Sequence, residues 1–247
     1  MCRIVLMNKQ GEKEIEKVYG LAEYFKYLEE QLGGHGNGFA LLKNNEVVKI
    51  EKGLHLDVRD IALTIKNIDY DWCLFHTRLA TIGSKNDKNC HPFIRKDIVL
   101  AMNGSEQSVN FISKSLDITD TEIILDIISK YNLSINVLKN FTSIFMGFSN
   151  GIPFVVANNT QRIKLLKSKT SKAIVFASNF PTIFKDDVYI PKEKFIWKGE
   201  KIPNVFKKYI RQPKKTAVFE DYIYHNDLYG QYFMDIQSNK GGNSYGM

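Results

Sequence analysis

A strand at the extreme amino terminus is the feature that most constrains this chain. Residues 2–8 read Cys-Arg-Ile-Val-Leu-Met-Asn, with Ile4 and Leu6 alternating onto one face of an extended segment. The backbone N–H and C=O groups of such a segment need partners, so the start of the chain must be held in a sheet. Whatever stands at position 2 is then presented from a rigid element, and it is a cysteine.

The downstream pattern supplies that sheet with neighbours. Ile15, Val18, Ala22, Phe25, Leu28 and Leu32 recur at helical spacing and Gly33-Gly34 ends the run, which predicts one amphipathic helix over 14–32. Segments 39–42 and 47–50 flank Asn44-Asn45 and read as a hairpin. Asp57 is the N-cap candidate of a second helix whose apolar face is Val58, Ile61, Ala62, Ile65 and Ile68. Strands are expected at 72–75 and 98–102, on either side of a polar loop at 83–89. A short helix should follow Asn103-Gly104, and the Thr119-x-x-Glu122 capping box announces another, carried by Ile123, Ile124, Ile127 and Ile128. Past residue 140 the texture is β-like, with strands expected at 141–148, 152–157, 163–166 and 173–177 and a hairpin turn at Asn150-Gly151. From about residue 198 the periodicity dissolves, and the Gly/Ser/Asn-rich end at 241–247 reads as frayed. This describes one mixed α+β domain over 1–198 and a partly irregular extension over 199–247.

Composition excludes several classes. Of 247 residues 44% are hydrophobic, enough to bury a core, so disorder is excluded as the main state. Lys+Arg outnumber Asp+Glu by 34 to 27, a net charge of +7. The lysines are mostly scattered and read as a solvated basic surface, so nucleic acid is not expected as a partner. The cluster Lys207, Lys208, Arg211, Lys214 and Lys215 and the aromatic residues between 219 and 233 belong to the extension, as solvated or partner-facing features. No stretch approaches the ~20 apolar residues of a membrane span, and the apolar run at 4–7 is too short for a signal peptide. Cys2, Cys73 and Cys90 form no C-x-x-C pair, so neither a disulfide framework nor a zinc site is expected, and the reading is a cytoplasmic protein without metal or cofactor.

Cys2 directly follows Met1, and a residue this small normally permits removal of the methionine. The α-amine so exposed would titrate near ~7.7–8.0 and could take the thiol proton, making one residue both nucleophile and base. The alternative is a small residue chosen for packing or processing. Asn103-Gly104, at the exit of a predicted strand, offers a side-chain amide and a backbone N–H as an oxyanion hole, or else a plain turn. Arg78 ends another strand and could hold a carboxylate bidentately, or serve structure. Asp120, at a helix start, could pair with an ammonium group or only favour the helix dipole.

The order Cys2, Gly33-Gly34-His35-Gly36-Asn37-Gly38-Phe39-Ala40, His76-Thr77-Arg78-Leu79-Ala80-Thr81-Ile82-Gly83, His91-Pro92-Phe93, Asn103-Gly104 and Thr119-Asp120-Thr121-Glu122 resembles the class II glutamine amidotransferases, whose glutaminase domain is an N-terminal nucleophile hydrolase. The resemblance spans 2–198, with its motifs in the first half. It implies a four-layer αββα sandwich in which Cys2 attacks the side-chain amide of L-glutamine, forming a thioester that water hydrolyses. Asn103 and Gly104 would form the oxyanion hole, Arg78 would hold the α-carboxylate, Asp120 the α-ammonium, and Thr81 would line the same pocket. Three positions depart from the family pattern: Arg3 stands where glycine is frequent, Met102 where histidine is common, and His35 where an acid is usual. The ammonia is expected to go to a separate synthase or transferase subunit, since 199–247 is too short to fold an acceptor domain. Another N-terminal-nucleophile amidohydrolase and a non-catalytic interaction module are the competing readings.

Overall fold

The amino-terminal strand β1 (Arg3–Asn8) lies inside a sheet, between two antiparallel neighbours. Side-chain alternation sends Ile4 and Leu6 into one apolar layer and Val5 and Met7 into another, all four completely buried. Burial on both faces is why the strand is apolar throughout its middle. The structure, a computed structural model, describes residues 2–168 and 171–209, which lie in one compact unit. Arg211, Lys214, Lys215, the aromatic run at 219–233 and the segment 241–247 lie outside the described residues.

After β1 come α1 (Lys9–Val18), α2 (Leu21–Leu32), β2 (Asn37–Lys43), β3 (Glu46–Gly53), α3 (Val58–Asn67), β4 (Trp72–Thr77), β5 (Phe93–Arg95), β6 (Ile98–Asn103), α4 (Asn110–Leu116) and α5 (Asp120–Lys130). The second half contributes β7 (Ile144–Ser149), β8 (Ile152–Ala157), β9 (Lys164–Lys167), β10 (Ile174–Ala177), β11 (Val188–Pro191), β12 (Phe195–Trp197) and β13 (Phe206–Lys208). Eight strands form one sheet in the order β13-β11-β9-β10-β1-β4-β2-β3, and five form a second in the order β12-β8-β7-β6-β5.

Three apolar layers hold these sheets together. Ile15, Phe25, Leu28, Ile61 and Ile65 of α1 to α3 pack on Val5, Met7, Phe39 and Phe75 of the larger sheet. Between the sheets, Ile4, Leu6, Leu74 and Phe176 face Val99, Ala101, Met146 and Val155. On the far side Ile124, Leu125 and Ile128 of α5 cover Leu100, Met102, Phe145 and Phe154 of the smaller sheet. At about 1.5–3 kcal/mol for each large apolar side chain fully buried, these layers dominate the stability. The result is the αββα sandwich that the motif order implied.

Local chemistry sets most boundaries where the sequence put them. Asn44 and Asn45, and likewise Asn150 and Gly151, take positive φ in the two hairpin turns. The Asp57 carboxylate caps α3 through the Arg59 amide at 2.7 Å. Thr119 caps α5 through the Glu122 amide at 3.1 Å, although the Glu122 carboxylate turns to Arg95 at 2.6 Å. One expectation fails: the helix read over 14–32 is two helices. It starts earlier, at Lys9, where the Asn8 side chain accepts from the Gly11 amide, and it breaks at Tyr19-Gly20. Gly20 has φ +85°, a conformation that side-chain-bearing residues rarely adopt, and the apolar spacing runs unbroken across the break. β5, β11, β12 and β13 are three or four residues long, too short for periodicity to register. β13 pairs with β11 and carries exposed Lys207 and Lys208. Among the described residues no helix is long and apolar enough to cross a membrane.

Candidate active site

One end of the sandwich gathers the chemistry. Cys2 precedes the first residue of β1, and antiparallel pairing of Arg3 with Thr77 sets that end of β1 against the end of β4, so Arg78 emerges beside it. Asn103 closes β6 in the other sheet, Gly104 follows, and Asp120 begins α5. Strand alternation turns Arg3 away from Cys2, toward the α2 side, where the Tyr24 and Tyr27 hydroxyls interact with its charge.

Cys2 is 7% exposed, and its sulfur lies against the backbone of Leu79: the thiol faces the Leu79 carbonyl at 3.7 Å, and the Leu79 amide donates to the sulfur at 3.4 Å. Burial raises the thiol pKa, opposed by the Leu79 hydrogen bond and by the Arg78 charge. Arg78 and Asp120 are near enough for the charges of all three groups to act on one another.

Arg78 is almost fully buried, and its guanidinium organises the loop after β4. Nη1 donates to the Ser84 carbonyl at 2.9 Å, and Nη2 to those of Ile82 at 2.8 Å and Gly83 at 2.9 Å. Thr81 is exposed on that loop. The neighbouring glycine-rich segment is tied to it by backbone bonds between His35 and Arg78 and between Arg78 and Gly36, and the Ala80 amide donates to His35 Nδ1 at 2.9 Å.

Asp120 is buried, and its carboxylate accepts from the Glu106 amide at 2.8 Å and the Thr121 amide at 3.0 Å. Burial raises its pKa, and these amides pull it down. Glu106, also buried, accepts from the Thr142 and Ser143 amides at 2.9 and 2.7 Å, fastening the 103–106 loop to the start of β7. Gly104 has φ +153°, and a Cβ there would collide with the Ser143 hydroxyl, so the close approach admits only glycine. The Asn103 amide nitrogen donates to Ser178 Oγ at 3.1 Å, and its oxygen is buried without a partner among the described residues.

Behind the site the His76 and His91 rings lie in contact, with centroids 4.1 Å apart and planes tilted by 36°. His76 Nε2 lies 3.2 Å from the Met102 carbonyl, which can only accept, so Nε2 carries the proton. Burial pushes the His76 pKa down to about 3 and that of His91 well below its ordinary value, so both are neutral structural groups. Met102, in the position of departure from the motif, contributes its carbonyl here and its side chain to the core. Among the described residues no group of three His, Cys, Asp or Glu side chains could hold a metal ion.

The structure thus brings Cys2, Arg78, Asn103, Gly104 and Asp120 to one end of the fold and leaves Thr81 exposed on the adjoining loop. Sequence reasoning missed Leu79, Glu106 and Ser178. Glu106, a lone acid three residues past Asn103, could have been flagged; nothing around Ser178 marks it.

The double-sheet architecture, with a cysteine at the start of its central strand, is that of the N-terminal nucleophile hydrolases. No family model matches the chain. A glutamine PRPP amidotransferase from B. subtilis, solved with ADP and GMP, superposes with a TM-score of 0.55 over 81% of this chain and 49% of its own, at 16% identity. A structure described as the allosteric regulatory enzyme of purine biosynthesis gives 0.55 over 82% and 50%, at 17% identity. In sequence, the isomerizing glutamine–fructose-6-phosphate aminotransferase of Helicobacter pylori is 28% identical over 170 residues, 59% of this chain and 27% of that one. Its Listeria monocytogenes counterpart is 26% identical over 175 residues, 65% and 28%. The chain is similar in sequence to class II glutamine amidotransferases and shares the N-terminal nucleophile hydrolase fold. It spans little more than a quarter of the length of these curated relatives.

Proposed function

We propose that this domain hydrolyses the side-chain amide of L-glutamine to glutamate and ammonia, with Cys2 as nucleophile. The observation that carries this reading is the convergence of a buried cysteine at the head of the central strand, an Asn-Gly pair from the facing sheet, and one cation and one anion within electrostatic reach of the thiol. With Met1 removed, the Cys2 amine takes the thiol proton as sulfur attacks the amide carbon. The carbonyl π electrons move to oxygen, where the Asn103 side-chain N–H and the Gly104 backbone N–H receive the charge. Collapse of this intermediate breaks the C–N bond, and the amine returns its proton to the departing ammonia. Water then adds to the thioester, releasing glutamate and the thiol.

Arg78 and Asp120 would recognise the α-carboxylate and α-ammonium, the charged end that separates glutamine from other amides. Thr81 would line the pocket from the loop that Arg78 holds. The ammonia would pass to a synthase or transferase unit. An amide other than glutamine is the second reading, favoured by the engagement of both Arg78 Nη atoms with loop carbonyls.

Glutamate release from glutamine by wild type and by Cys2→Ala tests the proposal, together with intact mass. Loss of Met1, turnover by wild type and at least a 10³-fold loss in Cys2→Ala are expected. Retained Met1, or equal release by both proteins, would overturn it, and a wild type active only on other amides would establish the second reading.

A further inference from the structure

Two parts of the reaction come from different sheets. Cys2 precedes β1 in the eight-stranded sheet, while Asn103 ends β6 in the five-stranded one, and no ladder joins these strands among the described residues. Apolar packing sets the spacing between sheets but is non-directional and cannot aim an N–H. An oxyanion donor has to be aimed, because its contribution depends on pointing where charge develops.

We propose that Ser178 is a positioning residue that aims the Asn103 amide relative to the nucleophile strand; the catalytic part of this proposal rests on the glutaminase reading above. Ser178 directly follows β10 and is buried. Its Oγ accepts from the Ile4 amide at 2.9 Å and from Asn103 Nδ2 at 3.1 Å, and its hydroxyl faces the Ile4 carbonyl at 3.3 Å. The Ser178 amide donates to that same carbonyl at 3.0 Å, which fixes the serine to β1 two residues from Cys2.

A hydroxyl has one hydrogen and two lone pairs. Here the hydrogen and one lone pair go to Ile4, so the remaining lone pair can only accept. Asn103 must therefore present its nitrogen, not its oxygen, and the second hydrogen on that nitrogen stays available for an oxyanion. The Asn103 oxygen is buried without a partner among the described residues, so among them the Ser178 bond is what selects this orientation of the amide. One hydroxyl thus references the oxyanion donor to the strand that carries the nucleophile.

The test compares wild type with Ser178→Ala and Ser178→Thr, using glutamine kinetics and hydrogen exchange of the Asn103 side-chain amide by NMR, the signal being assigned through its loss in Asn103→Ala. Ser178→Ala should lower kcat about 10- to 100-fold with KM changed less than about twofold, and should speed exchange of the amide protons. Ser178→Thr, which keeps the hydroxyl, should restore both. An unchanged kcat in a wild type that is active, a loss expressed only in KM, or amide exchange that is the same in wild type and Ser178→Ala would overturn the proposal. If wild type does not turn over glutamine, the glutaminase reading fails, and amide exchange alone still decides whether Ser178 holds Asn103.

Discussion

Asp120 shows how a single residue can be tuned by two opposing environments. Burial favours its neutral form, while the amides of Glu106 and Thr121 favour the carboxylate, and burial wins, leaving its pKa above the ordinary aspartate value. A carboxylate that holds the glutamine ammonium must be ionised, so binding should be intact well above this pKa and be lost as pH falls through it. The glutamine KM should therefore rise on the acid side at a higher pH than for an ordinary aspartate. Asp120→Asn should raise KM about 10- to 100-fold at neutral pH and remove that acid limb, as expected for loss of a charge-assisted hydrogen bond. Steady-state kinetics across pH check both; a KM profile that Asp120→Asn leaves unchanged would remove Asp120 from the pocket. The place of this residue at the start of a helix was readable from the capping motif. Its bond to Glu106, and the burial of Glu106 itself, were not, because residue type does not reveal which acids the fold will enclose.

At the scale of elements, the junction of α1 and α2 carries a conformational demand that the apolar pattern conceals. Gly20 has φ +85°, and the Leu21 amide is capped by the Glu16 carboxylate at 2.8 Å. A Cβ added at Gly20 would meet only Glu23 side-chain atoms, at the ordinary contact distance of 3.8 Å, so the methyl would meet backbone strain and not a clash. Gly20→Ala should cost about 1–3 kcal/mol, seen as a lower urea midpoint with an unchanged m-value. No shift in midpoint would mean that the junction relaxes without strain. The strands and caps that were legible, such as the Asn44-Asn45 hairpin and the Asp57 cap, are decided within four or five residues. The break at Gly20 was not, since Ile15, Val18, Ala22 and Phe25 keep helical spacing on both sides of it.

For the whole molecule, the buried pair His76 and His91 links folding to pH. His76 is held neutral, with its pKa pushed down to about 3, whereas in the unfolded chain it titrates near ~6.5. Between these values the unfolded state binds the extra proton, so stability is full above about pH 6.5 and falls as pH drops toward 3. The slope from His76 alone is about 1.4 kcal/mol per pH unit, and His91, depressed in the same direction, adds to it. His76→Gln should flatten stability against pH between 6 and 4 in urea titrations, whatever it does to stability at neutral pH. An equally steep profile in the variant would refute the assignment.

The amino-terminal strand and its cysteine, the hairpin turns, the helix caps and the five residues gathered at the site were all written in short stretches of sequence, because turn geometry, capping and strand alternation depend on neighbours a few positions apart. Tertiary structure alone decided that Arg78 grips the loop that follows it, that Leu79 lies over the thiol, and that Ser178 meets both Ile4 and Asn103. Ser178 is 174 residues from Ile4 in the chain. A serine hydroxyl has no preference that distinguishes such a partner from water until two sheets, held by apolar burial, have excluded the water and left each hydroxyl and amide the few bonds the fold provides.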